Sequence, residues 1–203
     1  MNVIVFSPHP DDAEVLMGGT IARHTRNGHD VKIVLVTVPS QRERRIEESK
    51  KAAAILGAQL TVLDIDPYQM VFSRKLVESF DKIVEDFPPD VIYTSWLHDS
   101  HQDHITVCQA AIASTRRNNC SVYMYAQALP GGLSPSTFRE QAFVDISETI
   151  DLKIQSVLCH ESQVQNFTEQ WIDGIKGRAA YMGFRVNVKY AEAFEVVKHI
   201  MNF

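Results

Sequence analysis

Cysteine is scarce in this 203-residue chain: Cys108, Cys120 and Cys159 stand far apart and form no CxxC pair. That excludes a zinc-thiolate knuckle and a disulfide framework, and it fits reduced thiols. No apolar run approaches the roughly 20 residues of a membrane helix, so membrane insertion is not expected. The chain opens as MNVIVF, directly into a strand, without a charged leader or a small-residue cleavage site. A cytoplasmic location is expected on that ground. Dense basic patches are missing too. Lys and Arg number 20 against 25 Asp and Glu, a net charge of -5, and the basic residues are interleaved with acids, which argues against a nucleic-acid partner. RERR at 42–45 is followed by Glu47 and Glu48 and reads as a helix start. Finally, no GxGxxG follows the first strand. The turn there is SPHPDD, whose carboxylates would repel the pyrophosphate of a dinucleotide.

What is present is the composition of an ordinary globular protein, 45% hydrophobic and 22% charged. One domain spanning 1–203 is expected at this length. Short β-branched runs at 3–6, 31–38, 60–63, 91–95 and 121–125 alternate with helical stretches near 13–27, 41–56, 73–86 and 103–117. Nearly all-apolar strands separated by helices predict a Rossmann-like, doubly wound, mostly parallel α/β sheet covered on both faces, in the order 3-2-1-4-5. After residue 127 the rhythm changes. ALPGGLSPSTF reads as a long surface loop, FVDIS at 143–147 as a strand, and 148–160 and 168–182 as helices, while KYAEAFEVV suits strand or helix. This part is a small C-terminal elaboration.

Two loops concentrate the chemistry. PHPDD at 8–12 follows the first strand, and HDSHQDH at 98–104 follows the fourth. Strands one and four are neighbours in the expected order, and their carboxyl ends form the crevice where such sheets bind ligands. Adjacent Asp11 and Asp12 repel each other unless a cation or a shared proton lies between them. A His and an Asp from the first loop and a His from the second give a two-His, one-carboxylate set with open positions, suited to a catalytic divalent metal. His9, Asp12 and His104 are the candidate ligands, with zinc as the default and iron, manganese or cobalt as metals that accept the same donors. Asp11 is then free to act as general base, and His101 to stabilise an oxyanion or protonate a leaving amine, with Asp103 fixing its tautomer. His24, His29 and His199 lie on helical or loop segments without evident acidic partners and read as surface residues.

These residues, with GGTIA at 18–22, resemble the LmbE-like family of metal-dependent de-N-acetylases, which includes N-acetylglucosaminyl-phosphatidylinositol de-N-acetylase. The resemblance continues through Arg45, Glu48, Ala52 and Leu56-Gly57, then FVDIS, Lys153 with HESQ at 160–163, and YAEAF at 190–194. Many members carry Glu directly after the two aspartates, whereas here Ala13 precedes Glu14. The resemblance implies zinc held at the positions of His9, Asp12 and His104, a base at Asp11, an electrostatic role at His101, and a substrate-contacting arginine at Arg45, for which an ion pair with Glu48 is the alternative. Asp66 is a candidate for hydrogen bonds to sugar hydroxyls, or a plain turn residue before Pro67. The implied activity is hydrolysis of the N-acetyl group of an N-acetylglucosamine-type small molecule. N-deformylation, or ester cleavage on a glycan or antibiotic precursor, is the alternative. The family also suggests a homo-oligomer, and substrate choice is expected from loops 39–44, 64–72 and 127–140.

Overall fold

The computed structural model describes residues 1–127, 134–165 and 168–201. In chain order the elements are β1 (Asn2–Ser7), α1 (Asp12–Arg26), β2 (Asp30–Thr37), α2 (Arg42–Leu56), β3 (Gln59–Ile65), α3 (Arg74–Asp86), β4 (Val91–Thr94), α4 (Gln102–Ser114), β5 (Ser121–Tyr125), β6 (Ala142–Asp145), α5 (Ile150–Leu158), α6 (Glu161–Val164), α7 (Thr168–Arg185) and β7 (Ala191–Lys198). The strands form one sheet in the order β3-β2-β1-β4-β5-β7-β6. β1 to β5 run parallel, and β7 is antiparallel to both β5 and β6. The expected 3-2-1-4-5 order is present, extended by two strands from the C-terminal part. KYAEAFEVV supplies a strand. Of the loop expected over 128–138, residues 128–133 lie outside the described residues.

The two-residue period of β1 divides the core. Val3 and Val5 point into one apolar cluster with Ile21, Leu56, Ile154 and Ala179 of α1, α2, α5 and α7. Ile4 and Phe6 point into the other, with Leu76, Phe80 and Val107 of α3 and α4. Val3, Ile4, Val5 and Phe6 are all buried, as are Leu76, Phe80 and Val107 against them, which is why the central strands read as unbroken apolar runs. Tyr125 Oη donates to Phe6 O at 2.7 Å, and Thr37 N to Pro8 O at 3.0 Å, fixing the exit of β1.

Helix α1 is kinked at Met17, where φ is -147° and ψ 20°. The amides beyond the kink find a side-chain acceptor: Gly19 N and Thr20 N donate to the Glu192 carboxylate of β7 at 3.1 and 2.7 Å, and Lys153 Nζ from α5 binds the same group. A Cβ on Gly19 would stand 2.7 Å from Ile146 Cδ1 and 2.8 Å from its Cβ and Cγ2. Gly→Ala within a helix ordinarily stabilises by about 0.5–1 kcal/mol, but overpacking of about 1–3 kcal/mol opposes it here. Gly19→Ala is therefore expected to lower stability, read as a lower urea midpoint at unchanged slope.

His24 and His29 differ from the surface residues expected. Their Nδ1 atoms lie 2.9 Å apart, and His24 Nε2 is 3.1 Å from the hydroxyl of buried Tyr93. Burial, then the neighbouring His29, pushes the His24 imidazole down to about 4. Sequence distance hid the contact with Tyr93, which comes from β4. Among the described residues, no helix is long and apolar enough to cross a membrane.

Candidate active site

The HPDD turn is built by local rules. Pro8 and Pro10 restrict their neighbours to extended backbone, and Asp11 then takes φ 97°, outside the range most side chains adopt. This reversal starts α1 at Asp12. Ser7 Oγ donates to His9 O at 2.8 Å and accepts from Ala13 N at 3.2 Å, and Asp12 Oδ2 accepts from His9 N at 2.9 Å, so the turn closes on itself. On the other side of the crevice, Ser95 Oγ donates to His104 O at 2.7 Å and pins the first turn of α4 to the end of β4.

The two loops bring His9, Asp12 and His104 together. His9 Nδ1 lies 3.3 Å from Asp12 Oδ2 and 3.3 Å from His104 Nε2, and His104 Nε2 lies 3.2 Å from Asp12 Oδ2. Ligand atoms placed tetrahedrally about 2.0–2.1 Å from one ion stand about 3.3–3.4 Å apart, so this triangle fits a zinc-sized cation. The three side chains are 10%, 7% and 4% exposed, so a cation among them would be shielded from bulk water. A second group, His9, His101 and Asp103, also has the spacing of a metal set, and it shares His9 with the first.

The outer nitrogens of both imidazoles are held. His9 Nε2 donates to Asp103 Oδ2 at 2.9 Å, and His104 Nδ1 to Asp99 Oδ2 at 2.9 Å. Each carboxylate fixes a tautomer, turning His9 Nδ1 and His104 Nε2 toward the triangle. The Asp103 carboxylate thus serves His9, whereas the sequence reading gave it to His101. What sets the His101 tautomer is the backbone: His101 is the N-cap of α4, and its Nδ1 accepts from Asp103 N at 3.2 Å, which leaves the proton on Nε2. His101 is exposed, with its ring stacked on His104 at 4.9 Å and edge-on to His9 at 4.8 Å. Asp99 was not among the candidates. The signal was available, since a carboxylate partner accompanies most ligand imidazoles and Asp99 lies in the same HDSHQDH string.

Charges within the cluster reinforce one another. Burial works against an ionised ring at His9, but hydrogen bonds to Asp103 and Asp12 outweigh it and raise the imidazole to about 9. Burial is likewise overcome at His104, which Asp12 and Asp99 raise to about 10. The same contacts hold Asp12 well below the usual carboxylate range despite its burial. Asp11 behaves oppositely: burial first, and then the negative charge of Asp12, pushes it up to about 7. His101 is lowered by burial and by the charges of His9 and His104. Two adjacent aspartates are thereby driven apart, one locked as an anion and one poised near neutrality, the pattern of an acid-base pair.

Arg45 is buried behind this site. Its Nη2 donates to Pro10 O at 3.0 Å and stands 3.9 Å from Asp11 Oδ2. The ion pair with Glu48 belongs instead to Arg44, at 3.1 Å. Asp66 is exposed in the turn after β3, where its Oδ1 accepts from Tyr68 N at 2.9 Å. His98 is exposed with its ring edge-on to Trp96.

The family model of PIG-L, GlcNAc-PI de-N-acetylase, matches residues 4–115, the stretch that carries both loops. Diacetylchitobiose deacetylase of Thermococcus kodakarensis is 27% identical to this chain over 223 residues, covering 98% of the chain and 84% of that protein. Among solved structures, the conserved protein TT1542 of Thermus thermophilus superposes with a TM-score of 0.86 at 23% identity, covering 99% of this chain and 96% of its own. GalB, the 4-carboxy-2-hydroxymuconate hydratase of Pseudomonas putida, gives 0.84 at 20% identity, covering 100% and 98%. At these identities the two structures establish a common fold.

Proposed function

The chain belongs to the GlcNAc-PI de-N-acetylase family, and from that premise we propose that it is a zinc-dependent hydrolase removing the N-acetyl group of a small N-acetylglucosamine-type sugar. The observation that carries the reading is the triangle of His9, Asp12 and His104 with Asp11 and His101 beside it. His9, Asp12 and His104 would hold the cation. Zinc suits two imidazoles and a carboxylate in tetrahedral spacing, and iron, manganese and cobalt accept the same donors. When bound, such a cation polarises an acyl carbonyl and acidifies water.

The rest is done by the chain's own groups. Asp11, left out of the triangle, accepts the proton of the water that adds to the acetyl carbon. His101 presents Nε2–H from the exposed side, where it can hydrogen-bond the developing oxyanion or give a proton to the departing nitrogen. The C–N bond breaks as the proton reaches that nitrogen, and the products are acetate and a free amine. Asp99 and Asp103 orient the two imidazoles, and Arg45 braces Pro10 and Asp11 from behind.

Diacetylchitobiose deacetylase, a relative of this chain, bears a name that states this chemistry on an amino sugar. The hydratase neighbour shows that the fold also hosts water addition without amide cleavage. Product analysis separates the two. Zinc-loaded protein is expected to release acetate and primary amine in equal amounts from N-acetylglucosamine glycosides or diacetylchitobiose. Metal-loaded protein that releases neither, while cleaving a formyl amide or an ester, would move the assignment to that acyl group.

Asp99→Asn tests the orienting role. The variant is expected to bind zinc about 10–100-fold more weakly and to recover wild-type stoichiometry when zinc is saturating. Competition with a chelating dye measures it, and unchanged affinity would detach Asp99 from the metal centre.

A further inference from the structure

The mechanism leaves one buried histidine unused. His160 has no exposed surface, and among the described residues neither of its ring nitrogens has a partner within hydrogen-bond geometry. It precedes α6 without capping that helix through its side chain. Its Nε2 faces Glu14 Oε2 at 3.6 Å, and Glu14 is itself only 2% exposed. An apolar side chain would fill such a position without leaving buried donors unmatched, so packing does not account for an imidazole there.

The surroundings lead to Asp11. Glu48 of α2 accepts from Ser162 N at 2.9 Å and Ser162 Oγ at 2.6 Å, fastening α6 to α2. One turn back on α2, Arg45 holds Pro10 O and approaches Asp11, with its Nε buried and unpartnered. Three carboxylates, those of buried Glu14 and Glu48 and of partly buried Asp11, thus converge where Arg45 is a buried cation and Arg44 a half-exposed one. His160 feels the charges of Glu14, Asp11 and Glu48 together. Like charges packed this closely repel unless each is held by its own partner. His160 also lies beyond residue 115, where the family match ends, so the C-terminal part reaches back into the site.

We propose that His160 is a positioning residue for Asp11: its imidazole holds the Glu14 carboxylate against α6, and so keeps Asp11 beside Arg45 and free to accept a hydrogen bond from the attacking water. This role rests on the deacetylase reading above. Steady-state acetate release, metal content and thermal stability test it in His160→Leu, His160→Gln, Glu14→Gln and the Glu14→Gln/His160→Leu double variant. His160→Leu is expected to lower kcat about tenfold or more, with KM within about twofold and zinc content unchanged. His160→Gln, whose amide can still donate to Glu14, is expected to recover much of the loss. The double variant is expected to be no slower than the slower single variant, because both changes remove one interaction. Fold-losses that multiply in the double variant, a change in KM alone, or a rate loss that tracks lost zinc or lost stability would overturn the role. If His160→Leu does not fold, Glu14→Gln decides, and a wild-type kcat there overturns it. A zinc-loaded wild type that releases no acetate from any N-acetylated sugar sinks the deacetylase reading and this role with it, whereas an active wild type with multiplying losses sinks this role alone.

Discussion

Asp11→Asn will hold one metal ion per chain and release acetate about 10²–10⁴-fold more slowly than the wild type at saturating substrate. The carboxylate of Asp11 is not part of the His9, Asp12 and His104 triangle, so replacing it with an amide of the same shape leaves the ligand set whole. The backbone tolerates the change as well. Asp11 sits at φ 97°, and asparagine is among the few residues that share aspartate's tolerance of positive φ. Electrostatics favour folding of the variant, because it removes a buried negative charge next to Asp12. What disappears is the ability to accept a proton as water adds to the acyl carbon. KM should therefore move little while kcat collapses. A loss below about tenfold would assign the proton to another group, and His101 is the neighbour with an exposed ring to take it. Acetate quantified alongside metal content in the same preparations separates a lost base from a lost cation.

The five parallel strands and both loops were legible because each rests on local sequence. Val3 to Phe6 is apolar on both faces, and HPDD and HDSHQDH sit directly behind strands whose order follows from strand–helix alternation. The C-terminal strand was not legible. Glu192 and Glu195 of β7 are both buried, the first against Lys153 and the amides of the α1 kink, the second against Arg139 and Trp96 Nε1. Two buried glutamates erase the apolar alternation that marks a strand, and their partners lie tens of residues away or more. The orienting groups failed for a related reason. That His101 is turned by the Asp103 amide and His9 by the Asp103 carboxylate is a matter of where one residue's two ends point, which spacing alone does not encode. Arg44 and Arg45 illustrate the same limit: adjacent on α2, one faces Glu48 and the other the back of the HPDD turn, and only the packed helix decides which.

Removing the cation by truncating its holder tests the centre itself. His104→Ala is expected to retain less than about a tenth of the wild-type zinc and to lose acetate release about a thousandfold or more, because several kcal/mol of charge stabilisation leave with the ion. The fold should survive with a measurable penalty. Asp99 loses the His104 Nδ1–H that binds its Oδ2, and an unmatched buried acceptor costs about 1–3 kcal/mol. Its other oxygen still accepts from His101 N at 2.9 Å, so the loop after β4 stays anchored. Chelation of the wild type makes the necessary contrast. It should reproduce the rate loss without truncating a side chain, and zinc should restore the rate fully, with manganese, cobalt or iron restoring it to differing degrees because the same nitrogen and oxygen donors accept them. His104→Ala, by comparison, should recover little on adding zinc. Full zinc occupancy in that variant, or chelated wild type that keeps its rate, would show that the two loops meet for some purpose other than gripping a catalytic ion.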